Sequence, residues 1–308
     1  GEAALTIGRF DGVHRGHVAL VRATIRAAVV EHVQRSIVVV LWPPPEWVLR
    51  PSESRALLTT LEDRLKLLVA LGVSEVVVLR FNQELSKQEP EDFVRYLKDR
   101  FLMRRLVTGP NAAIGRNRSG TTSALARIAE RVGFDHVTVP SQGITGEISS
   151  SHARQVLEGG DIASLTRILG RLHSLEGPVV HGDARGRRLG FPTANLELPE
   201  WMVLPLDGVY AGRATIEGEG LVYQALVSVG ARPTFGSGER MLEVNLIDFD
   251  GEIYGRRLRV FFEQRIRGQV RFEKTEELVA AMRGDEEVVR DMQPVNELDL
   301  LPFASRRS

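Results

Sequence analysis

The run Ala4-Leu5-Thr6-Ile7-Gly8-Arg9-Phe10-Asp11-Gly12-Val13-His14-Arg15-Gly16-His17 decides the fold of the first half of the chain. Four strand-type residues lead into a glycine-bearing turn. From residue 17 to 31 the apolar positions Val18, Val21, Ile25, Ala28 and Val29 then fall near helical spacing. A strand that turns through glycines into a helix is the opening unit of an α/β sheet. Further along, residues 36–42 are a continuous apolar run, as in a strand covered on both faces. Thr59-Thr60-Leu61-Glu62-Asp63 carries a capping-box pattern and opens a helix ending near Gly72. A strand over 75–81, a helix over 90–102 with Pro90 in its first turn, a strand over 105–108, a helix over 122–132 and a strand over 136–140 complete the series. The alternation predicts a mainly parallel, doubly wound, Rossmann-like sheet, whose ligands sit at the carboxyl ends of its strands.

Residues 151–172 carry two short helical patterns. Beyond Gly177 the texture changes. Short strands are expected at 179–180, 209–216, 223–229, 242–249 and 258–262, separated by turns such as Gly218-Glu219-Gly220. With no long helix between them they predict an antiparallel barrel or sandwich. A helix follows over 275–283, with room for another after Asp285. The domains expected are 1–172 and 173–292, with a loose tail over 293–308. No internal repeat is visible.

The chain has 308 residues, 40 Lys+Arg, 40 Asp+Glu and no Cys. The length suits about two domains. The zero net charge argues against nucleic-acid or anionic-membrane binding by bulk electrostatics. Absence of Cys excludes disulfide scaffolds, thiolate zinc sites and thiol catalysis. No apolar run approaches the roughly 20 residues of a membrane span, and no signal peptide is visible. The expectation is a soluble cytoplasmic protein, with a homo-oligomer compatible with everything in the sequence.

Two stretches carry chemistry. In the first, glycines Gly8 and Gly12 let backbone approach a ligand, and the next helix offers free N–H groups to an anion. His14 and His17 share one face at that helix start, where imidazoles can donate to a phosphate gaining charge. The bland alternatives are surface histidines or a metal pair. The second stretch is Gly182-Asp183-Ala184-Arg185-Gly186-Arg187-Arg188-Leu189-Gly190-Phe191-Pro192-Thr193-Ala194-Asn195. The Thr193 hydroxyl and Asn195 carbonyl are hard oxygen ligands suited to Mg²⁺ beside a nucleotide, and in a β context they point to one side. Glu243, facing opposite to Leu242 and Val244, could accept a hydroxyl proton. Taken alone, the loop also reads as a solvated turn and Glu243 as a solvent-facing carboxylate.

The motif Gly8-x-Phe10-Asp11-Gly12-x-His14-x-Gly16-His17 resembles the ATP motif of the His-x-Gly-His nucleotidyltransferases, in the form typical of bacterial bifunctional riboflavin kinase/FMN adenylyltransferases. Ile148-Ser149-Ser150-Ser151-His152-Ala153-Arg154 is similar to that family's second ATP motif. Leu189 to Asn195, Gly208-Val209-Tyr210-Ala211-Gly212, Pro233-Thr234-Phe235, Asp248-Phe249 with Tyr254-Gly255, and Arg267-Gly268 with Arg271-Phe272 follow in the family's order. The resemblance implies a nucleotidyltransferase domain followed by a six-stranded antiparallel riboflavin kinase barrel with a C-terminal helix. It implies ATP, riboflavin and FMN as ligands. His14, His17, Ser150 and Arg154 then contact ATP phosphates, with Gly8, Phe10, Asp11, Gly12 and Asn111 completing that site. Gly190, Thr193 and Asn195 hold Mg²⁺-ATP, Glu243 is the base, and Phe235, Arg267 and Phe272 meet the flavin.

The departures are patterned. Leu41-Trp42-Pro43-Pro44-Pro45 stands where the family usually has Phe-Asp/Glu-Pro-His-Pro, and Gly109-Pro110-Asn111-Ala112-Ala113-Ile114-Gly115 lacks both aromatics of Gly-x-Asn/Asp-Phe-x-Phe-Gly. Arg9 replaces a smaller residue, and Thr121 stands where Asp is common. In the second half Arg232 replaces an Asn and Asn245 a His. The ATP side is retained while the flavin side of the first domain is altered. FAD formation with a reshaped flavin site, a different phosphorylated acceptor, and a silent or regulatory first domain all remain open at this point. A dehydrogenase is disfavoured because Gly-x-Gly-x-x-Gly is missing after the first strand. A ligand-sensing protein without turnover is the non-enzyme rival.

Overall fold

The computed structural model describes residues 1–30, 32–53, 56–140, 148–182, 190–231 and 240–300, with backbone alone at Glu53 and Leu298. It divides into two compact units, Gly1–Ser150 and Ser151–Ser308.

The first unit runs β1 (Ala3–Gly8), α1 (Arg15–Val30), β2 (Arg35–Trp42), α2 (Pro45–Leu49), α3 (Leu61–Val69), β3 (Glu75–Arg80), α4 (Gln83–Ser86), α5 (Pro90–Phe101), β4 (Met103–Thr108), β5 (Ala113–Ile114), β6 (Gly120–Thr121), α6 (Thr122–Val132) and β7 (Asp135–Thr138). A wholly parallel five-stranded sheet results, in the order β3-β2-β1-β4-β7. Side chains alternate across β1, so its two faces differ. Ala3 and Leu5 join Ile37, Val39, Met103 and Leu106 beneath Phe93, Val94 and Leu97 of α5 and Leu125 and Ile128 of α6. On the other face Ala4 meets Ala27 and Ala28 of α1, and these small side chains let that helix lie close to the sheet. Burying each large apolar side chain contributes roughly 1.5–3 kcal/mol before entropy is counted. The expected cap of α3 is present, since Thr60 Oγ1 accepts from Asp63 N at 3.0 Å and donates to Asp63 Oδ2 at 2.9 Å. Thr121 caps α6 by accepting from Ala124 N.

The second unit continues α7, which spans Ser150–Glu158, and adds α8 (Ile162–Leu169), β8 (His173–Val180), β9 (Ala194–Leu196), β10 (Gly208–Ile216), β11 (Val222–Ala231), β12 (Arg240–Leu246), β13 (Arg257–Arg267), α9 (Thr275–Arg290) and α10 (Glu297–Leu300). Six antiparallel strands close into a barrel in the order β10-β11-β12-β9-β8-β13. Closure leaves no open sheet edge to be covered. Helix α9 packs on the outside of the barrel, with Val289 against Val209, Ala211, Leu226 and Ile247.

Three local expectations change. The strand expected over 242–249 stops at Leu246, because Asp248 turns the chain with φ 56°. The two helices expected around Asp285 are one: residues 275–290 run through Gly284 without a break. The tail expected to be loose is ordered over 293–300, where Arg213 Nη2 donates to Gln293 O, Asn296 and Asp299 cap one another, and Leu300 is buried. Residues 301–308 lie outside the described part. No helix among the described residues is long and apolar enough to cross a membrane.

Candidate active sites

The first site is built where β1 ends. Phe10 takes a left-handed conformation and Gly12 has φ 76°, so the chain doubles back through a short 3₁₀ turn before α1 begins. Gly12 meets that requirement without strain. The fold brings His14 and His17 into a parallel stack, with ring centroids 3.7 Å apart, and Phe10 leans on His17 at 5.2 Å. His17 N donates to His14 Nδ1 at 3.3 Å, which leaves the His14 proton on Nε2, a donor for a ligand. A Cβ at Gly16 would come within 3.1 Å of His14 Nδ1, so glycine between the two histidines keeps the stack close.

Asp11 does not project toward solvent. Its Oδ1 accepts from Leu58 N at 3.0 Å, from Thr59 N and Oγ1, and from Arg64 Nη2 at 3.2 Å, with both charged groups buried. Arg64 also donates to Arg9 O at 2.8 Å and to Thr59 O, and its guanidinium lies over the Trp42 ring. Desolvation lowers the Arg64 pKa, and the Asp11 charge opposes that shift. Asp11 thus ties the histidine loop to the start of α3. Ser150 is tied in as well, donating from Oγ to Asp11 O at 2.8 Å. Arg154 lies one helical turn beyond Ser150 on α7, on the same face, and is buried with Nη2 donating to Ser151 Oγ. Phe10 is buried, Gly8 ends the strand, and Asn111 is exposed in the turn after β4.

The sequence did not single out Thr59, Arg64 or Glu46. Arg64 was detectable as a charge three residues after Leu61 and four before Leu68, on the helix face that goes inward. Glu46 pairs with Arg9 across the top of the sheet.

The second site lies on the outer wall of the barrel. Strand register places Asn195 opposite Glu243, Glu243 opposite Ser228, Ser228 opposite Val209, and Val209 opposite Arg267. Directly opposed residues share a face, so one lateral row carries the amide, the carboxylate and the guanidinium. Their neighbours Leu196, Leu242 and Val244 are buried in the barrel. Asn195 is itself buried, and its Oδ1 has no hydrogen-bond partner among the described residues. A Cβ on Gly182 would fall 2.1 Å from Asn195 Nδ2, so this glycine is needed for close approach. Thr193 precedes β9, whose pairing begins at Ala194, so the shared side expected for Thr193 and Asn195 from a β context does not extend to Thr193. Instead Thr193 lines a cleft with Pro192, Phe249 and Tyr254, and His181 stacks on Tyr254 at 3.8 Å. Asn245 Nδ2 holds the Pro192 carbonyl at 2.8 Å. Gly190 is exposed, with φ 87°.

Arg267 is fixed by a residue the sequence reading passed over. Asp285 of α9, nearly buried, accepts from Arg267 Nε at 3.0 Å and from Nη2 at 2.7 Å, and the guanidinium lies 5.7 Å from the Phe272 ring. Gln269 donates to Ser228 Oγ and Val229 O, so the chain after β13 crosses β11 beside the same row. Phe235, Arg232 and residues 183–189 of the glycine loop lie outside the described residues. Among the described residues no cluster of three or more His, Asp or Glu could hold a metal alone. The orphan amide oxygen of Asn195 fits Mg²⁺, which commonly takes one or two protein ligands and completes its shell with phosphate oxygens.

The FAD synthetase family model matches residues 1–153, and the riboflavin kinase family model matches residues 169–293. The chain belongs to the bifunctional riboflavin kinase/FMN adenylyltransferase family. Relatives of that description include one from Pseudomonas fluorescens, 36% identical over 91% of this chain and 89% of its own length. Another, from Escherichia coli K12, is 34% identical over 93% and 91%. A third, from Bacillus subtilis, is 31% identical over the same shares. A solved structure from Streptococcus pneumoniae described as a macrolide-efflux protein superposes with a TM-score of 0.85 at 30% identity, covering 95% of each chain. The two halves of the family are thus present in order: the stacked histidines sit in the FAD synthetase half, and the Asn195–Glu243 row sits in the riboflavin kinase half.

Proposed function

We propose that this member of the family carries out both reactions, each in its own unit, in the cytoplasm where ATP is supplied. In the barrel, the riboflavin 5′-hydroxyl oxygen attacks the γ-phosphorus of ATP, Glu243 takes the hydroxyl proton, and ADP leaves. Thr193 and Asn195 would hold Mg²⁺, which neutralises phosphate charge when bound. Arg267 and Phe272 receive the ring at the other end of the row. In the first unit, a phosphate oxygen of FMN attacks the α-phosphorus of ATP and pyrophosphate leaves, giving FAD. His14 and His17 donate to the charge that grows there.

The observation that carries this reading is the lateral pairing of Asn195, with its orphan oxygen, and Glu243. A carboxylate stands one strand from the amide that would meet the nucleotide's metal. Product chromatography after incubation with riboflavin, ATP and Mg²⁺ tests it. The intact protein should form FMN and then FAD. Glu243→Gln should cut FMN formation by about 10²-fold or more yet still convert supplied FMN to FAD, and His17→Asn should do the reverse. Near-normal phosphorylation by Glu243→Gln would remove Glu243 as base. FMN that accumulates without FAD in the intact protein would remove the adenylyl transfer.

A further inference from the structure

The cleft beside Thr193 has two unlike walls. One is barrel: Val179 of β8, Ala194 of β9 and Val244 and Leu246 of β12 are strand residues, and Asn245 fixes the Pro192 carbonyl beside them. The other is the chain after β12, which contributes Phe249, Gly251, Glu252, Ile253 and Tyr254. That chain lies outside the strands. A loop without strand pairing takes its shape from turn and side-chain contacts.

Its contacts gather at its two ends. At the far end Gly255 N donates to Val179 O at 2.9 Å, and Tyr254 stacks on His181. At the near end Asp248 turns the chain in the left-handed region, at φ 56°. Aspartate tolerates that conformation better than most residues but does not select it unaided. Arg290, the last residue of α9, holds it there. Its Nη1 donates to Asp248 Oδ2 at 2.7 Å and its Nη2 to Oδ1 at 2.8 Å, a fork on both carboxylate oxygens. Among the described residues Arg290 supplies every side-chain contact of this carboxylate. The next residue is Phe249. Its ring meets Tyr223 edge to face at 5.3 Å and is folded back so far that a Cβ on Gly251 would come within 2.7 Å of its Cζ. A tilt at Asp248 therefore moves the Phe249 ring, and with it one wall of the cleft.

Helix α9 does not depend on this pair for its place. Gln224 Nε2 donates to Val289 O at 2.8 Å and to Met292 O at 3.1 Å, and Val289 is buried against the barrel. Further back along the helix, Asp285 grips Arg267. The helix is a fixed post from which Arg290 reaches the loop.

We propose that Arg290 is a positioning residue for riboflavin phosphorylation. Through Asp248 it sets the Phe249 wall of the cleft, and so tunes the affinity for ATP and not that for riboflavin. This role presupposes the nucleotide site proposed above, beside Thr193 and Asn195.

Steady-state phosphorylation of riboflavin by the full-length protein tests it. Arg290→Gln and Asp248→Asn should each raise the KM for ATP about three- to five-fold, as for loss of one exposed but forked ion pair, with the KM for riboflavin and kcat within about 1.5-fold. The double variant should be no worse than either single one, because both remove the same link. Arg290→Lys, a point charge in place of the fork, should recover part of the loss. Glu286→Gln removes the other partner of Arg290, one turn back on α9, and should leave both KM values at the parent's. An unchanged KM for ATP in Arg290→Gln overturns the positioning role and leaves the kinase reading standing. A rise in both KM values together, or losses that add in the double variant, also overturns it, since Arg290 would then steady the fold at large or act apart from Asp248. Absence of FMN formation by the parent protein overturns the kinase reading and this role with it.

Discussion

Asp285 shows how much a single side chain outside the recognised motifs can set. Its carboxylate holds Arg267 through three short contacts, so the guanidinium is already oriented at the end of the row proposed for the flavin. Asp285→Asn keeps the shape and removes the charge. The expected outcome is a rise of about ten-fold in the KM for riboflavin, as for loss of one charge-assisted contact, with kcat changed less than about two-fold. Asp285→Glu should recover part of the loss. A fall in kcat with unchanged KM would show that Arg267 does not act on the substrate through Asp285. The signal for this residue was weak in the sequence. Asp285 lies on the buried face of α9 with Val289, and a lone acid on such a face says that it has a partner without saying which.

At the scale of elements, strong local signals read correctly and long-range ones did not. The strand–loop–helix at 4–31, the Thr60 cap and Pro90 at a helix start are short-range patterns, and each appears in the fold within a residue or two. Most barrel strands were legible as short runs between glycine-bearing turns, and the six-strand closure came from resemblance. What was hidden depends on pairing across the chain: the Asn195–Glu243–Ser228 register, the Asp11–Arg64 bond 53 residues apart, and β9, too short at three residues to show a period. The same distinction makes caps predictable. Asp161 caps α8, accepting from Ser164 N at 2.9 Å, and hydrogen bonds from Ser164 lower its pKa. A carboxylate depressed in the folded state binds fewer protons than in the unfolded chain. Its contribution is therefore present above the usual carboxylate range and lost as pH falls through the depressed value. Asp161→Ala should cost about 1 kcal/mol at neutral pH, and Asp161→Asn should keep most of the cap while flattening this part of the acid-side decline, read by urea unfolding at pH 7 and pH 3.

Each unit keeps its own packing, on both faces of the parallel sheet in the first and about the barrel in the second, and the tryptophans are divided between the units. Trp42 and Trp47 report on the first unit and Trp201 on the second. Arg64→Met strands the buried Asp11 carboxylate, a loss of about 3–5 kcal/mol for one partner of a buried pair. In a Trp201→Phe background, tryptophan emission should show the unfolding transition moving to lower urea by that amount. With Trp42 and Trp47 changed to Phe instead, the Trp201 transition should hold its midpoint. A shift of both together would mean that the units unfold as one.

On the proposed assignment of Glu243 as base and Arg267 as ring contact, the lateral row on the barrel also acts as a ruler. From Glu243 to Arg267 is three strand spacings, about 14 Å along the curved wall, a length set by backbone hydrogen bonding and hard to change by side-chain substitution. A substrate anchored by its ring at one end must present its hydroxyl at the other. Ring edits should therefore be tolerated better than edits to the sugar chain. A riboflavin analogue one carbon shorter should occupy the barrel and compete with riboflavin, yet remain unphosphorylated because its oxygen stops short of the base.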